Sequence, residues 1–210
     1  MKVRLTFTEE CLGTASADPQ IHKTFIAANA PDAKSLTEEI EAIGVDAKIE
    51  KSMTVFPRND NGQPILWDYQ VKGFFKDACS MLARAGNPGK DEDGKKIKGT
   101  LNESCKISAY KKVIDGVIFV LPRKILLKLP PNTEIGHCER PLRAQTAQGE
   151  RIALANSETI PAGTTIDFEI SCLDTKLETV VKEWLDYGKL RGIGQWRNSG
   201  KGRFTWTEIS

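Results

Sequence analysis

Val3, Leu5 and Phe7 alternate with Arg4, Thr6 and Thr8, the period of a strand with one buried face. A polar, Ala-rich segment follows from Gly13 to Pro31, and residues 35–43 predict a short helix with Leu36, Ile40 and Ile43 on one side. The chain then passes through MTVF to the turn-rich RNDNG. The strongest helical pattern comes next: Val71, Phe74, Phe75, Ala78, Cys79 and Leu82 recur at i, i+3, i+4, i+7, i+8 and i+11. Asp68 is placed to cap that helix and Gly86 to end it. Residues 86–104 have no period and abundant charge, which predicts a long mobile excursion. GVIFVL and ILLKL, on either side of Pro122, predict strands, as does the alternation of Ile166, Phe168, Ile170 and Cys172. A second helix is expected from about Thr175 to Tyr187, with Leu177, Val180, Val181, Trp184 and Leu185 on its apolar stripe. Thr175 and Glu178 are spaced as a capping box and Gly188 fits the C-terminal cap. RFTWTEI reads as a final strand.

This order of elements is that of an α+β fold, a ferredoxin-like or RRM-like β-α-β-β-α-β core. It is expected as one domain over residues 1–210, with insertions at about 17–52, 86–104 and 130–160 and a glycine-rich loop before the last strand. Charge adds a constraint: 30 Lys and Arg against 28 Asp and Glu leave a net +2, so electrostatic function must come from local clustering. Five cysteines without CxxC spacing point to reduced thiols instead of a disulfide frame or zinc site. The first residues alternate instead of forming an apolar signal core, and no apolar run reaches membrane-spanning length. A soluble cytoplasmic protein with no membrane partner is expected.

Clustering is found in GKLRGIGQWRNSGKGRFTW, residues 188–206. It holds five glycines and five cations and no acidic residue. The segment fails the P-loop spacing, and Arg197 stands where the dinucleotide fingerprint needs its third glycine. Both motifs also run from strand into helix, whereas this segment runs from helix into strand. What it fits is a loop whose backbone approaches an anion, whose Arg197 and Arg203 can grip phosphate bidentately, and whose Trp196 offers a face for stacking a base. The bland alternative is a solvated turn.

Gly192-x-Gly194 followed by Gly200-x-Gly202-Arg203-Phe204, after an amphipathic helix and before the last strand, resembles the glycine-rich loop of the RAMP superfamily (repeat-associated mysterious proteins). These RRM-like proteins occur in CRISPR RNA-processing and effector complexes. NGQPILWDYQVKGFFKDACSML, residues 61–82, is similar to the family's second motif, a Gly-x-Pro turn leading into a helix that opens with Lys-Gly and a basic residue. Gly62, Pro64, Lys72, Gly73 and Lys76 occupy those positions, while Leu66-Trp67-Asp68-Tyr69 replaces the family's usual small polar helix entry. The resemblance is closest to the backbone subunits that polymerise along guide RNA, and it extends to a divergent or virus-encoded relative. It implies binding of single-stranded RNA or DNA, assembly in several copies or with other CRISPR-type subunits, and a thumb-like insertion at 86–104. The candidate nucleic-acid contacts are Lys189, Arg191, Gly192, Gly194, Gln195, Trp196, Arg197, Asn198, Lys201, Gly202 and Arg203, with Lys72, Gly73 and Lys76 on the first helix.

Some RAMP proteins cut RNA. Asp18 lies after the first strand, where target-cutting subunits place an aspartate, although SADPQ also suits a turn. His22 is the candidate general acid or base, since imidazole titrates near neutrality; His137 has no positional support. Asp91, Glu92 and Asp93 sit among lysines, where solvation accounts for them. No cofactor or metal is expected, and binding ranks above catalysis. The alternatives are a metal-independent endoribonuclease using His22 and a protein-only inhibitor that mimics a CRISPR subunit.

Overall fold

The computed structural model describes residues 1–17, 53–86, 102–146 and 149–209, the side chains of 142–154 excepted. In chain order the described elements are β1 (Lys2–Phe7), β2 (Cys11–Leu12), β3 (Ala15–Ser16), β4 (Met53–Val55), β5 (Ile65–Trp67), α1 (Asp68–Ala85), α2 (Tyr110–Val117), β6 (Ile118–Leu121), β7 (Lys124–Leu126), β8 (Gly136–Thr146), β9 (Gly149–Ile160), β10 (Thr165–Cys172), α3 (Lys176–Arg191) and β11 (Phe204–Ile209). Short 3₁₀ turns at Glu103–Lys106 and Arg197–Ser199 complete the set.

The alternation in β1 buries Val3, Leu5 and Phe7 and turns Lys2 and Arg4 outward. β1 pairs antiparallel with both β10 and β11, and β6 extends the sheet beyond β10, giving the order β11-β1-β10-β6. With α1 after β1 and α3 after β10, this is the split β-α-β arrangement of the ferredoxin-like fold. The expected α+β class therefore holds. Both helices bring apolar stripes to one face of the sheet, where Phe75 meets Trp184 at 5.4 Å and Phe74 meets Phe204 at 5.3 Å between ring centroids. Each of these buried side chains contributes about 1.5–3 kcal/mol of transfer free energy, so the core is held mainly by the interface of sheet and helices.

On the other face, Arg4 donates to both oxygens of Asp167 at 2.6 and 2.8 Å, and Lys128 adds an ion pair at 2.7 Å. The hydrogen bond from Arg4, with Lys128 assisting, lowers the Asp167 carboxyl to about 2. Most of the charge on that part of the face is thus compensated internally.

Several helix boundaries differ from the sequence expectation, for local reasons. Asp68 is the first residue of α1, and the preceding Trp67 N–H is instead capped by Gln70 Oε1 at 2.7 Å. Gly86 ends that helix as expected. Thr175 makes no side-chain cap for α3; Asp174 Oδ1 accepts from the Lys176 N–H at 3.0 Å. Gly188 does not end α3 either. The helix runs on to Arg191, and the missing side chain at 188 makes room for the ring of Phe204.

The strands β8 and β9 of the 130–160 insertion join β2, β3 and β4 in a second sheet. β9 lies between β2 and β4, pairing antiparallel with the first and parallel with the second, and β3 completes the β4 edge. β8 pairs with β9 from Gly136↔Thr159 to Thr146↔Gly149, so the expected insertion at 130–160 contains a long hairpin. Residues 35–43, and residues 87–101 of the expected thumb-like insertion at 86–104, lie outside the described residues. The end of the 86–104 excursion is anchored: Glu183 accepts from the Glu103 and Ser104 N–H groups at 3.1 and 3.0 Å.

Candidate nucleic-acid interface

Gly192 closes α3 with φ +73° and Gly202 returns the chain with φ +72°. The two arms of the loop then lie backbone against backbone: a Cβ on Gly202 would overlap the Ile193 carbonyl, and one on Gly192 would stand 2.6 Å from Lys201 O. The Ile193 N–H donates to Gly202 O at 2.9 Å, and the Gly202 N–H to Glu10 O at 2.7 Å. These glycines are required by the loop's own closure, whatever else the loop contacts.

Three cations of the loop, Arg191, Arg197 and Lys201, have acidic partners from distant parts of the chain. Asp77 on α1 receives Arg191 Nε at 2.9 Å and Arg197 Nη1 at 2.7 Å, and it raises the Arg191 guanidinium further above its usual range. Asn198 Oδ1 accepts from Arg191 Nη1 at 2.9 Å. Lys201 pairs with Glu10 at 2.6 Å and Lys189 with Asp186 at 3.4 Å, while Arg203 donates to Leu190 O at 3.1 Å. Two guanidinium groups on one carboxylate leave a local excess of one positive charge beside the loop.

A cleft of about 440 Å³ opens between β2 and β3, the first half of α1 and the loop. Leu12, Leu66, Trp67, Phe74 and Ile193 supply apolar wall, and Thr14, Thr54, Gln70, Asp77 and Arg197 supply polar groups. Gly73 and Gly194, one from each glycine motif, both line this cleft. Cys11 also lines it, but burial pushes its thiol up to about 12, so it serves as neutral wall. Gly73 is exposed in the interior of α1, and a Cβ there would meet nothing within 4 Å.

Lys72 and Lys76 point elsewhere. Lys76 pairs with Asp115 of α2 at 2.6 Å, and Lys72 lies 5.2 Å from the centroid of Phe119 on β6. Neither lines the cleft. His137 is exposed on β8, and Asp18 and His22 lie outside the described residues.

Gln195 joins four parts of the molecule. Its Nε2 donates to Gly13 O and to Thr54 Oγ1 at 3.0 Å, and its Oε1 accepts from Arg140 Nη2 at 3.0 Å. Arg140, on β8, lies 5.1 Å from the ring centroid of Trp196. Asp77 and Arg140 are among the site residues that the sequence pattern did not single out. Asp77 had a usable signal, since it stands four positions after Gly73 and so on the same helical side.

Fold and loop together define an RRM-like α+β protein with a basic, glycine-closed loop between its last helix and last strand. No protein-family model matches the chain, and neither does any curated protein. Solved structures do. The chain aligns over its whole length with a chain of the Type III-B Cmr-beta complex bound to cognate target RNA, at TM-score 0.51 and 12% identity, and spans 58% of that chain. It aligns over 98% of its length with Cmr6 from Pyrococcus furiosus, at TM-score 0.50 and 10% identity, and spans 97% of it. A chain of a Type IV-B CRISPR complex matches over the whole length at TM-score 0.47 and 13% identity, with 90% of that chain covered. The Type III-B and Cmr6 likenesses are of fold, and they agree with the resemblance to RAMP proteins carried by the two glycine motifs.

Proposed function

We propose that the protein binds single-stranded nucleic acid, RNA in the first instance, as a RAMP-type subunit, with the strand passing over the cleft between α1 and the glycine-rich loop. The observation that carries this reading is Gly73. Glycine inside a helix costs about 0.5–1 kcal/mol against alanine, and among the described residues no atom occupies the space that a side chain would fill. A ligand backbone approaching α1 at that point accounts for it, and Gly194 and Arg197 stand on the same cleft. The fold likeness to a chain of an RNA-bound CRISPR complex supports the same reading.

The protein works in several copies along a strand or beside other CRISPR-type subunits, since one RRM-like unit covers only a few nucleotides and neighbours add avidity. Its five cysteines are free, as suits a cytoplasmic protein.

The test is retention of labelled RNA and of DNA of the same sequence in EDTA, followed by sizing on strands of increasing length. Saturable RNA binding with mass growing in steps supports the proposal. No retention of either strand would overturn it in favour of a protein-only mimic, and cleavage in EDTA that is lost in His22→Ala would make the protein an endoribonuclease.

A further inference from the structure

Three features of this molecule meet at one point. Trp196 holds φ +52°, a region that bulky side chains seldom occupy and that glycine or asparagine would fill at less cost. It is 41% exposed, one of few large apolar side chains so placed among the described residues. Beneath its ring lies the guanidinium of Arg140, from the β8–β9 hairpin, at 5.1 Å from the centroid.

Arg140 is itself unusual, being 8% exposed. Its polar partners are neutral, Ser157 Oγ at 3.4 Å and Gln195 Oε1 at 3.0 Å, and no carboxylate among the described residues forms an ion pair with it. Burying a cation on neutral partners is costly, so the position is not explained by packing alone. By contrast, Arg191, Arg197 and Lys201 of the adjoining loop all have acidic partners.

We propose that the outer face of Trp196 is a stacking platform for one unpaired base, and that Arg140 is the positioning residue that holds it there from below. This rests on the reading of the protein as a single-strand binder and names one contact of that interface. The ring gives the base an apolar face without sequence preference. The guanidinium keeps the indole in its strained conformation by the cation–π contact. Gln195 couples the arrangement to Gly13 and Thr54, so the platform has a fixed relation to the wall of the cleft. The hairpin, to which the sequence pattern assigned no role, thereby contributes to the interface through the loop.

The experiment compares an RNA strand with the same strand made abasic throughout. Trp196→Asn removes the ring while suiting the positive φ, so the fold should keep or gain thermal stability. Its affinity for the intact strand should fall about tenfold or more, with no change on the abasic strand. Intact RNA should quench tryptophan emission in the wild type and not in Trp196→Asn. Arg140→Lys should retain most binding. Arg140→Gln should lose it, but should add no further loss in the Trp196→Asn background, because the two residues act as one unit. Trp196→Asn binding the intact strand as tightly as the wild type would overturn the platform, as would equal losses on intact and abasic strands. Additive losses would overturn the positioning role of Arg140. In each of these cases the protein would remain an RNA binder, whereas failure of the wild type to retain RNA would remove both readings.

Discussion

Arg197 and Asp77 meet at 2.7 Å on the wall of the cleft, although 120 positions separate them in the chain. The same carboxylate also holds Arg191, so a single acid restrains two of the loop's phosphate-binding candidates. Asp77→Asn keeps the shape of that group and gives up its charge. Affinity for single strands should rise several-fold at low salt, and the slope of log K against log salt should steepen by about 0.7. Urea unfolding should show a loss of about 1–2 kcal/mol as the charge-assisted bonds weaken. Equal affinity and equal slope would mean that the strand does not pass Arg197.

Gly73→Ala should separate folding from binding. The new methyl meets no atom of the described residues, so the helix should gain about 0.5–1 kcal/mol and the melting temperature should rise by about 1–4 °C. RNA affinity should fall, and Gly73→Leu should lower it further. Unchanged affinity in the leucine variant would place the strand away from α1.

Gly188→Ala is the converse case. Its Cβ would overlap the Phe204 ring at the centre of the core, so crowding of about 1–3 kcal/mol should outweigh the gain in helix propensity. A lower melting temperature with full RNA affinity below the transition is expected. A rise in melting temperature would show that Phe204 can move aside.

Asp167 sets an acid dependence. Its carboxyl titrates near 4 in the unfolded chain and at about 2 when folded, with Arg4 and Lys128 as the cause. The stabilisation is therefore present above pH 4 and is lost as pH falls from about 4 through 2. Solvent screening of the half-exposed cations holds it to about 1 kcal/mol. The stability difference between wild type and Asp167→Asn, followed by urea midpoint, should shrink across that interval. A constant difference would assign the effect to packing.

Elements whose apolar periodicity is strong were legible in the chain: β1 from Val3, Leu5 and Phe7, and α1 from its Val71-to-Leu82 stripe. The β8–β9 hairpin was not, because Arg140 is buried where an apolar residue would mark a strand and Pro141 interrupts the pattern. The short helix α2 was equally hidden, having eight residues and one fully buried side chain, Ile114. Gly188 was misread as a stop because its reason is tertiary, the ring of Phe204. The loop's charge balance was illegible for the same kind of reason. Residues 188–206 contain no acid, yet Asp77 and Glu10 bring theirs from elsewhere.

The backbone closure of the loop has a thermodynamic consequence. Ile193 bonds Gly202, Gly202 bonds Glu10, and the turn between them is tied by Ser199 to Trp196 and by Gly200 to Arg197. Its conformational entropy is surrendered when the chain folds, so a docking strand has little left to immobilise on the protein side. Association should then proceed at the speed of an electrostatically guided encounter, and titration calorimetry should show the modest heat-capacity change of rigid docking instead of the large one that accompanies coupled folding.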